Sequence, residues 1–515
     1  MMRWIRILLV ILLALLLVWV AGRMIFAVPS TEGRAVERAI PFDPTTTLGP
    51  QAVEAMSAHA GKSGVVPLPD GQGALMSRMK LAEGAERSID AMYYIWHDDT
   101  SGLLLLDALR DAAERGVRVR LLLDDNGIAG MDQMLAALDA LPNFSVRLFN
   151  PSTVRNPKGL GYVLYPLRMN RRMHNKAFLV DGAVAIVGGR NIGDEYFAIG
   201  DVPAYLDLDV LGVGDVVTDT AAIFDQYWNS QPVLALEQVI AGPGDMAAFD
   251  KAVAEAEATP EAQTVIKAEA SAGERMVRRN APPMEWTEVQ VVADDPIKGM
   301  GTHSREDLMM SRLGAILGSV TARLDLISAY FVPGKAGSGF FAKLAESGVD
   351  VRIMTNSWQA TDVPMVHAGY VKYRRELLES GVTLYELKPI EGIAQGRAEL
   401  RPSGFSGSSL HAKTFSADDA RVFIGSFNFD PRSAALNCEM GFLIDSPAIA
   451  KAGSTALTDG LSKRSFQPEL DGNKMVWRDP QPDGSVITLE HEPDLDFLDR
   501  VAVYVLNVLP IEWLL

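Results

Sequence analysis

His174-Asn-Lys-Ala-Phe-Leu-Val-Asp181 and His411-Ala-Lys-Thr-Phe-Ser-Ala-Asp418 are two copies of one eight-residue pattern. In both copies a lysine stands two positions after the histidine, and an aspartate closes the pattern. The common spacing continues further, because Asn191 and Asn428 each follow their histidine by 17 positions. A spacing kept over so many residues predicts that the chain contains the same structural unit twice.

Three further stretches repeat in the same order as the histidine pattern. Their offsets are 232 to 236 residues, against 237 for the histidines. The repeats pair Ser88–Trp96 with Arg323–Phe331, Arg115–Leu123 with Ser347–Thr355, and Val146–Phe149 with Val382–Tyr385. Four matches at nearly constant offset indicate an internal duplication.

Strand and helix patterns alternate within each copy. In the first, a β-branched and aromatic run (Ile89–Trp96) precedes leucines at helical spacing (Gly102–Arg115) and an apolar strand pattern (Val117–Leu123). The second copy repeats the helix at Gly339–Ser347 and the strand at Val349–Thr355. We therefore expect an α/β protein with two pseudo-symmetric α/β-sandwich halves, preceded by an N-terminal membrane helix.

The repeats and the composition between them predict five regions. The linker contains an Ala- and Glu-rich helical stretch, Asp250–Ala270, and the polar sequence Asn280-Ala-Pro-Pro283. The predicted regions are an N-terminal segment (1–28), a first half (50–231), a linker (232–285), a second half (286–460) and a C-terminal extension (461–515).

The N-terminal segment has the pattern of a membrane helix. Arg3 and Arg6 precede an apolar run, Ile7–Gly22, and Arg23 follows it. Such a run fits either an uncleaved anchor or a cleaved signal peptide, and the absence of an obvious small-residue cleavage site favours the anchor. The two N-terminal arginines predict an inner-membrane protein with its body on the non-cytoplasmic side, although Arg23 weakens that bias.

The C-terminal extension is also apolar over Phe497–Leu515, which fits either a helix docked on the core or a segment that contacts lipid. A formal net charge of −17 argues against a nucleic-acid partner, because general nucleic-acid binders carry a basic field. Cys438 is the single cysteine, so neither an intramolecular disulfide nor a cysteine-based metal site can form.

Both histidine patterns predict a hairpin that can hold a phosphate. Residues two apart on a strand share a face, so His174 lies beside Lys176 and His411 beside Lys413. The strand turns at the aspartate, and the asparagine follows the returning strand. A histidine, a lysine and an amide supply an acid or nucleophile, a point charge and a hydrogen-bond donor.

These paired motifs resemble the two motifs of the phospholipase D superfamily, over roughly Leu81 to Ile444. The sequence is most similar to bacterial cardiolipin synthases through Tyr94–Asp99, Gly188–Tyr196 and Gly425–Ser433. The resemblance implies a reaction with no cofactor and no metal, in which one histidine forms a phosphohistidine and the other serves as acid and base. It implies His174 as the nucleophile and His411 as the acid/base, a choice that sequence symmetry alone leaves open.

The resemblance also implies roles for the remaining motif residues. Lysines and asparagines would hold the non-bridging phosphate oxygens: Lys176, Lys413, Asn191 and Asn428. An acid after each motif would orient its histidine, and Glu439 and Asp207 fit, 28 positions after His411 and 33 after His174, with Asp209 as the competitor of Asp207. We expect Asp181 and Asp418 to be structural. The copies differ where Gly189 stands opposite Ser426.

The function that this resemblance implies is phosphatidyl transfer that makes cardiolipin from phosphatidylglycerol or another phospholipid, with the membrane as the partner surface. A phospholipase D-type hydrolase is the alternative; a nuclease and an inactive scaffold are weaker ones. No protein partner is indicated.

Two smaller groups are ambiguous. Arg168, Arg171 and Arg172 fit either contacts with anionic headgroups or a solvated loop. His97 beside Asp98-Asp99 resembles part of a metal site but has no second ligand at metal spacing in the sequence.

Overall fold

The computed structural model describes residues 2–47, 49–267, 284–304, 306, 308–389, 409–493, 495–508 and 512. Two mixed sheets, each with helices against it, dominate the described chain. The predicted fold class, a duplicated α/β architecture preceded by an apolar helix, is confirmed.

The first sheet has nine described strands. They are β1 (Ser63–Leu68), β2 (Ser88–Ile95), β3 (Arg118–Gly127), β4 (Phe144–Phe149), β5 (Ala177–Val180), β6 (Val184–Gly188), β7 (Asp209–Val213), β8 (Val233–Ala235) and β9 (Glu285–Thr287). Their spatial order is β8-β4-β3-β2-β5-β6-β7-β1-β9. Strands β2, β3 and β4 run parallel, and β5, β6 and β7 continue the sheet as antiparallel neighbours.

The second sheet has ten described strands and repeats this plan. They are β10 (Val289–Ala293), β11 (Arg323–Ser328), β12 (Asp350–Asn356), β13 (Thr383–Leu387), β14 (Lys413–Ala417), β15 (Arg421–Gly425), β16 (Met440–Ile444), β17 (Ser465–Asp471), β18 (Lys474–Pro480) and β19 (Val486–Leu489). The order is β10-β16-β15-β14-β11-β12-β13-β17-β18-β19, with β11, β12 and β13 parallel.

Helices precede, connect and flank these strands. The described ones are α1 (Met2–Ile25), α2 (Gly49–Ala58), α3 (Gly71–Glu83), α4 (Thr100–Glu114), α5 (Asp132–Asp139), α6 (Leu160–Leu164), α7 (Pro166–Met169), α8 (Asp194–Phe197), α9 (Asp215–Trp228), α10 (Met246–Glu257), α11 (260–267), α12 (Met309–Leu317), α13 (Gly334–Glu346), α14 (Pro364–Glu379), α15 (Pro431–Ala435), α16 (Pro447–Thr455) and α17 (Phe497–Val508).

One buried ion pair shows how closely the halves correspond. Arg120 on β3 donates to both carboxylate oxygens of Asp90 on β2, at 2.6 and 2.8 Å. Arg352 on β12 donates to Asp325 on β11 at the same two distances. A bidentate guanidinium–carboxylate pair fixes the register of two strands, so the duplication extends to the detail of strand pairing.

The two halves share one apolar core between β6 and β7 on one side and β15 and β16 on the other. Val187, Ile424 and Phe442 belong to this cluster, and all three are buried. Phe442 packs against Gly212 so closely that a Cβ there would lie 3.1 Å from the ring. Apolar burial between the sheets therefore holds the halves together, with their motif hairpins on facing strands.

The predicted linker begins and ends inside the first sheet. Val233–Ala235 pairs with β4, and Glu285–Thr287 pairs with β1. Part of the predicted helical stretch forms α10 and α11, whereas residues 268–283, including Asn280–Pro283, lie outside the described residues.

Both chain ends carry exposed apolar surface. The helix α1 has 24 residues, or about 36 Å, so it is long enough to cross a hydrocarbon layer of about 30 Å. It is a candidate membrane span and has no buried residue. Near the C-terminus, α17 exposes Phe497 and Tyr504 while Val503 is buried against Trp358.

Candidate active site

Each histidine motif folds as the predicted hairpin, and its aspartate holds the turn. Asp181 has φ of +53° between β5 and β6 and accepts the backbone N–H groups of residues 86, 87 and 88. Asp418 has φ of +54° and accepts those of residues 321, 322 and 323. Both carboxylates tie the hairpin to the start of a central strand, away from the histidine rings.

His174 contacts the other half of the chain through Nδ1. This nitrogen lies 2.8 Å from Oε2 of Glu439 and 3.1 Å from the carbonyl oxygen of Ser426. A carbonyl oxygen can only accept, so Nδ1 must carry the proton. The lone pair of neutral His174 is therefore on Nε2, the nitrogen that a nucleophilic imidazole needs.

His411 makes the reciprocal contact, since its Nδ1 donates to Oδ2 of Asp207 at 2.5 Å. The expectation that each acid orients the histidine of its own half is therefore wrong. Glu439 serves His174, and Asp207 serves His411. Spacing along the chain could not reveal this exchange, because the acids follow their own motifs at similar separations.

Backbone hydrogen bonds fix the same exchange. The amide of His174 donates to the carbonyl of Cys438 at 2.8 Å, and the amide of Cys438 donates to the carbonyl of Arg172. In the symmetric position, the amide of His411 donates to the carbonyl of Leu206 at 2.8 Å. Each histidine is thus bound through its backbone amide to the segment that carries the other half's acid.

The two motif lysines are buried beside their histidines. Nζ of Lys176 donates to the carbonyl of His174 at 2.6 Å. Nζ of Lys413 donates to the carbonyl of His411 and lies 3.0 Å from its Nδ1. Burial lowers the pKa of both ammonium groups, that of Lys176 to well below its ordinary value.

The histidines share one electrostatic environment. Burial lowers the pKa of His174 well below its ordinary value, and the charges of Lys176, Lys413 and His411 add to that effect. Burial and Lys413 also lower the pKa of His411, but Asp207 opposes them. Both rings therefore lie in the field of the same two lysines, and the pKa of His174 is lowered more strongly than that of His411.

The two acids differ in charge state. Burial raises the pKa of Glu439 to about 7. Burial alone raises the pKa of Asp207 too, yet His411, Lys413 and Arg190 outweigh it and lower that pKa below its ordinary value. An ionised Asp207 stabilises the imidazolium of His411, whereas a partly protonated Glu439 gives His174 less reason to take up a proton.

The difference between Gly189 and Ser426 follows from the two acids. A Cβ at position 189 would lie 2.2 Å from Oδ1 of Asp207, so only glycine leaves room for that carboxylate. At the equivalent place, the hydroxyl of Ser426 donates to Oε2 of Glu439 at 2.5 Å. The difference between the two copies therefore follows from the different acids: glycine leaves room for Asp207, and the serine hydroxyl binds Glu439.

The motif asparagines contact the central strands of their own halves. Oδ1 of Asn191 accepts from the amide of Ile95 at 3.2 Å, and its Nδ2 donates to the hydroxyl of Tyr196 at 2.9 Å. Oδ1 of Asn428 accepts from the amide of Tyr330 at 3.4 Å. Both side-chain amides thus hold the chain at the end of a central strand.

Aromatic rings enclose the histidines, a feature that the sequence reasoning did not anticipate. The ring of Tyr94 meets that of His174 edge-on at 5.0 Å. Tyr205 stacks on His411 at 5.2 Å, and Tyr196 meets it edge-on at 5.1 Å. Tyr94 and Tyr196 lie in the segments that resemble cardiolipin synthases, but only the fold shows that these rings and that of Tyr205 pack on the histidines.

Two other candidates have structural partners. Asp209, the competitor of Asp207, forms a buried ion pair with Arg78 at 2.9 Å. Arg172 is bound to Asp124 at 2.9 Å, which removes it from a solvated loop. Of the three arginines before His174, only Arg168 and Arg171 therefore remain candidates for contact with anionic headgroups.

One group of side chains could hold a metal ion. Ligand atoms of His97, Asp99 and Glu195 lie within 4.8 Å of one another, with 3.3 Å between Nδ1 of His97 and Glu195. Both carboxylate oxygens of Asp99 already accept hydrogen bonds, one from the amide of Gly102 in the first turn of α4 and one from the amide of Asp194.

Comparison with known proteins gives matches over most of the chain. The family model described as "Cardiolipin synthase, PLD-like domain" matches residues 78–228 and 313–457, one segment in each half. Cardiolipin synthase C of Escherichia coli K12 is 45% identical over 464 residues, which covers 89% of this chain and 98% of that protein. A cardiolipin synthase of Staphylococcus aureus Mu50 is 27% identical, over 77% of this chain and 67% of its own.

A solved structure supports the same fold. Phosphatidylserine synthase of Haemophilus influenzae Rd KW20 superposes with a TM-score of 0.55 at 12% identity, over 90% of this chain and all of that one. The duplicated motifs, the facing halves and these matches agree, and the chain belongs to the cardiolipin synthase family of phospholipase D-like proteins.

Proposed function

We propose that this protein is a membrane-anchored phosphatidyltransferase that makes cardiolipin from phosphatidylglycerol or a similar phospholipid. The single observation that carries the proposal is the exchange of acids between the halves, which orients both imidazoles and brings both under the influence of the same two buried lysines. Family membership and the similarity to the E. coli cardiolipin synthase support the choice of substrate class.

In the proposed first step, Nε2 of His174 attacks the phosphorus of the donor lipid. The bond from phosphorus to the headgroup oxygen breaks, and the imidazolium of His411 gives that oxygen its proton. Lys176 and Lys413 stabilise the non-bridging oxygens while negative charge accumulates on them. The product is a phosphatidyl group on His174, with neutral His411 beside it.

The second step reverses these roles. Neutral His411 takes the proton from the hydroxyl of a second lipid, whose oxygen then attacks phosphorus. The bond from phosphorus to Nε2 of His174 breaks, and the free histidine is restored. With two molecules of phosphatidylglycerol the balance is one cardiolipin and one glycerol. Water in place of the second lipid would give phosphatidic acid, which is the hydrolase alternative.

We infer that α1 anchors the protein in the inner membrane and that the catalytic body lies on the non-cytoplasmic side. The helix is exposed along its length and is long enough to span the bilayer. Arg3 and Arg6 at its start favour a cytoplasmic N-terminus.

The product of purified full-length protein tests the proposed function. The protein is incubated with headgroup- and acyl-labelled phosphatidylglycerol in mixed micelles. Labelled cardiolipin is the expected product, and phosphatidic acid alone would establish the hydrolase. His174→Ala should abolish either product, whereas His491→Ala, at an exposed histidine, should not. Nicking of plasmid DNA that depends on His174 would favour the nuclease.

A further inference from the structure

The base of α1 packs on the segment that precedes the first motif. Nε1 of Trp19 donates to the carbonyl of Val163 at 3.0 Å. The hydroxyl of Tyr165 donates to the carbonyls of Arg23 and Phe26 at 3.2 and 3.1 Å. Trp19 belongs to the apolar run of α1, so α6 and α7 lie at the level where this helix enters the bilayer.

The outer surface of α6 and α7 fits that location. Leu160, Val163 and Leu167 are exposed, the last two by 62% and 67%. Exposed aliphatic side chains next to a membrane helix are typical of a surface that enters the headgroup and upper acyl region. Trp19 and Tyr165 are the aromatic residues expected at the same level.

A pocket of about 440 Å³ opens between the base of α1 and α7. Its cationic lining consists of Arg23, Arg168 and Arg171, and its apolar lining includes Leu167 and Met300. None of its lining residues belongs to the histidine site. Three guanidinium groups in one small pocket repel one another unless an anion is present.

The two carboxylates that act on Arg168, those of Asp125 and Asp124, are already paired with Arg155 and Arg172. Nη1 of Arg168 donates to the carbonyl of Pro151, and Nη1 of Arg171 to that of Leu167. Nη2 of Arg168 and Nε of Arg171 are buried without a partner among the described residues. Buried donors of this kind cost free energy until an acceptor reaches them.

The charges around the pocket favour the binding of an anion. Burial lowers the pKa of Arg168 to about 10, and the neighbouring charge of Arg172 adds to this. Glu32 lines an adjoining pocket together with Arg23 and Arg168, but it is an exposed residue. A phosphate oxygen could satisfy both unpartnered donors, because guanidinium groups bind phosphate in bidentate geometry.

We propose that Arg23, Arg168 and Arg171 bind the phosphate of an anionic phospholipid at the membrane surface, in a site separate from the histidine pocket. Apolar side chains on one wall and exposed leucines outside it accommodate the glycerol and acyl chains. Basic pockets beside membrane helices recognise anionic headgroups in this way. The inference rests on α1 remaining in the membrane, and it does not depend on the transfer reaction.

Native mass spectrometry of the full-length His174→Ala protein in detergent tests the site without turnover. The probes are phosphatidylglycerol, phosphatidylcholine and inorganic phosphate. The histidine pocket can hold its own phosphatidylglycerol in every variant, so the reading is the second lipid bound per protein, and we expect it to bind at least tenfold more weakly after Arg168→Gln with Arg171→Gln. The matched control, Lys451→Gln with Arg464→Gln, removes two exposed charges and should change nothing.

Several outcomes would overturn the proposal. Phosphatidylglycerol affinity within twofold of the parent in the double variant would do so, as would equal affinity for phosphatidylcholine. Displacement of the lipid by inorganic phosphate at comparable concentration would assign the site to free phosphate instead. If the double variant does not fold, Arg23→Gln decides, since that side chain is exposed: unchanged lipid affinity contradicts the site. Loss of the site would leave the proposed transfer reaction untouched.

Discussion

Glu439 accepts the Nδ1 proton of His174 across 265 positions of the chain. The contact is matched by that between Asp207 and His411. Because each histidine takes its acid from the opposite half, neither half contains a complete site. A complete site therefore forms only where the two halves of the duplication pack against each other.

The exchange of acids predicts which variants share a defect. Glu439→Gln should behave like a loss of His174, and Asp207→Asn like a loss of His411, each lowering kcat by roughly 100-fold or more through a wrongly oriented imidazole. A phosphatidyl ester of nitrophenol separates the two classes, since nitrophenol leaves without protonation. Its first turnover should be rapid in Asp207→Asn and slow in Glu439→Gln, as stopped-flow absorbance would record.

The opposite pattern, with a rapid first turnover in Glu439→Gln and a slow one in Asp207→Asn, would mean that the acids serve their own halves. Circular dichroism of both variants provides the folding control.

A methyl group at position 189 should damage the site of the other half. In Gly189→Ala the new Cβ would lie 2.2 Å from Oδ1 of Asp207, so the carboxylate must move and His411 loses its partner. We expect kcat for phosphatidylglycerol to fall by at least tenfold. Gly339→Ala is the matched control, since nothing lies within 4 Å of its Cβ on α13. Full activity of Gly189→Ala would show that the close approach of Asp207 is not needed.

The raised pKa of Glu439 predicts a pH-dependent cost to stability. A carboxyl group whose pKa is about 7 when folded and near 4.5 when unfolded binds protons more tightly in the folded protein. Its contribution to stability is therefore complete below pH 4.5 and is lost as the pH rises through 7, by roughly 3 kcal/mol in all. Chemical unfolding at pH 5 and pH 8 should show the wild type losing stability relative to Glu439→Gln. A difference that stays constant with pH would refute the shift.

Metal removal should leave the reaction unchanged, because the proposed chemistry assigns every proton and charge to side chains of the pocket. Treatment with EDTA before the assay is expected to alter the initial rate by less than twofold. His97→Gln, in the group near α8, should also be active. Strong inhibition that added metal reverses would contradict the mechanism and direct attention to His97, Asp99 and Glu195.

Much of the fold was predictable because repetition itself is visible in the sequence. Asp90 and Asp325 align at a constant offset, and both form the same bidentate pair in the structure. The hairpins at Asp181 and Asp418 were predictable for a related reason, since the turn and the strand alternation are local. A turn and an alternating strand pattern are set by residues that are close together in the sequence.

The exchange of acids was not predictable in this way. Asp207 and Glu439 were recognised as partners, but a separation along the chain carries no information about which histidine lies across the interface. The helix α1 lies within the predicted segment 1–28, but its exact ends could not be read from the apolar run, because charged residues such as Arg6 and Arg23 belong to the same helix. A helix is fixed by backbone hydrogen bonds, which hydropathy does not report.

The most direct test of two histidines acting on one phosphorus is to trap the intermediate. With His411→Ala and the nitrophenyl ester, the first step needs no acid and the second lacks its base. We expect a burst of one nitrophenol per protein and a phosphatidyl adduct on the peptide that contains His174, found by mass spectrometry. An adduct on any other residue, or steady release of nitrophenol without an adduct, would contradict the account.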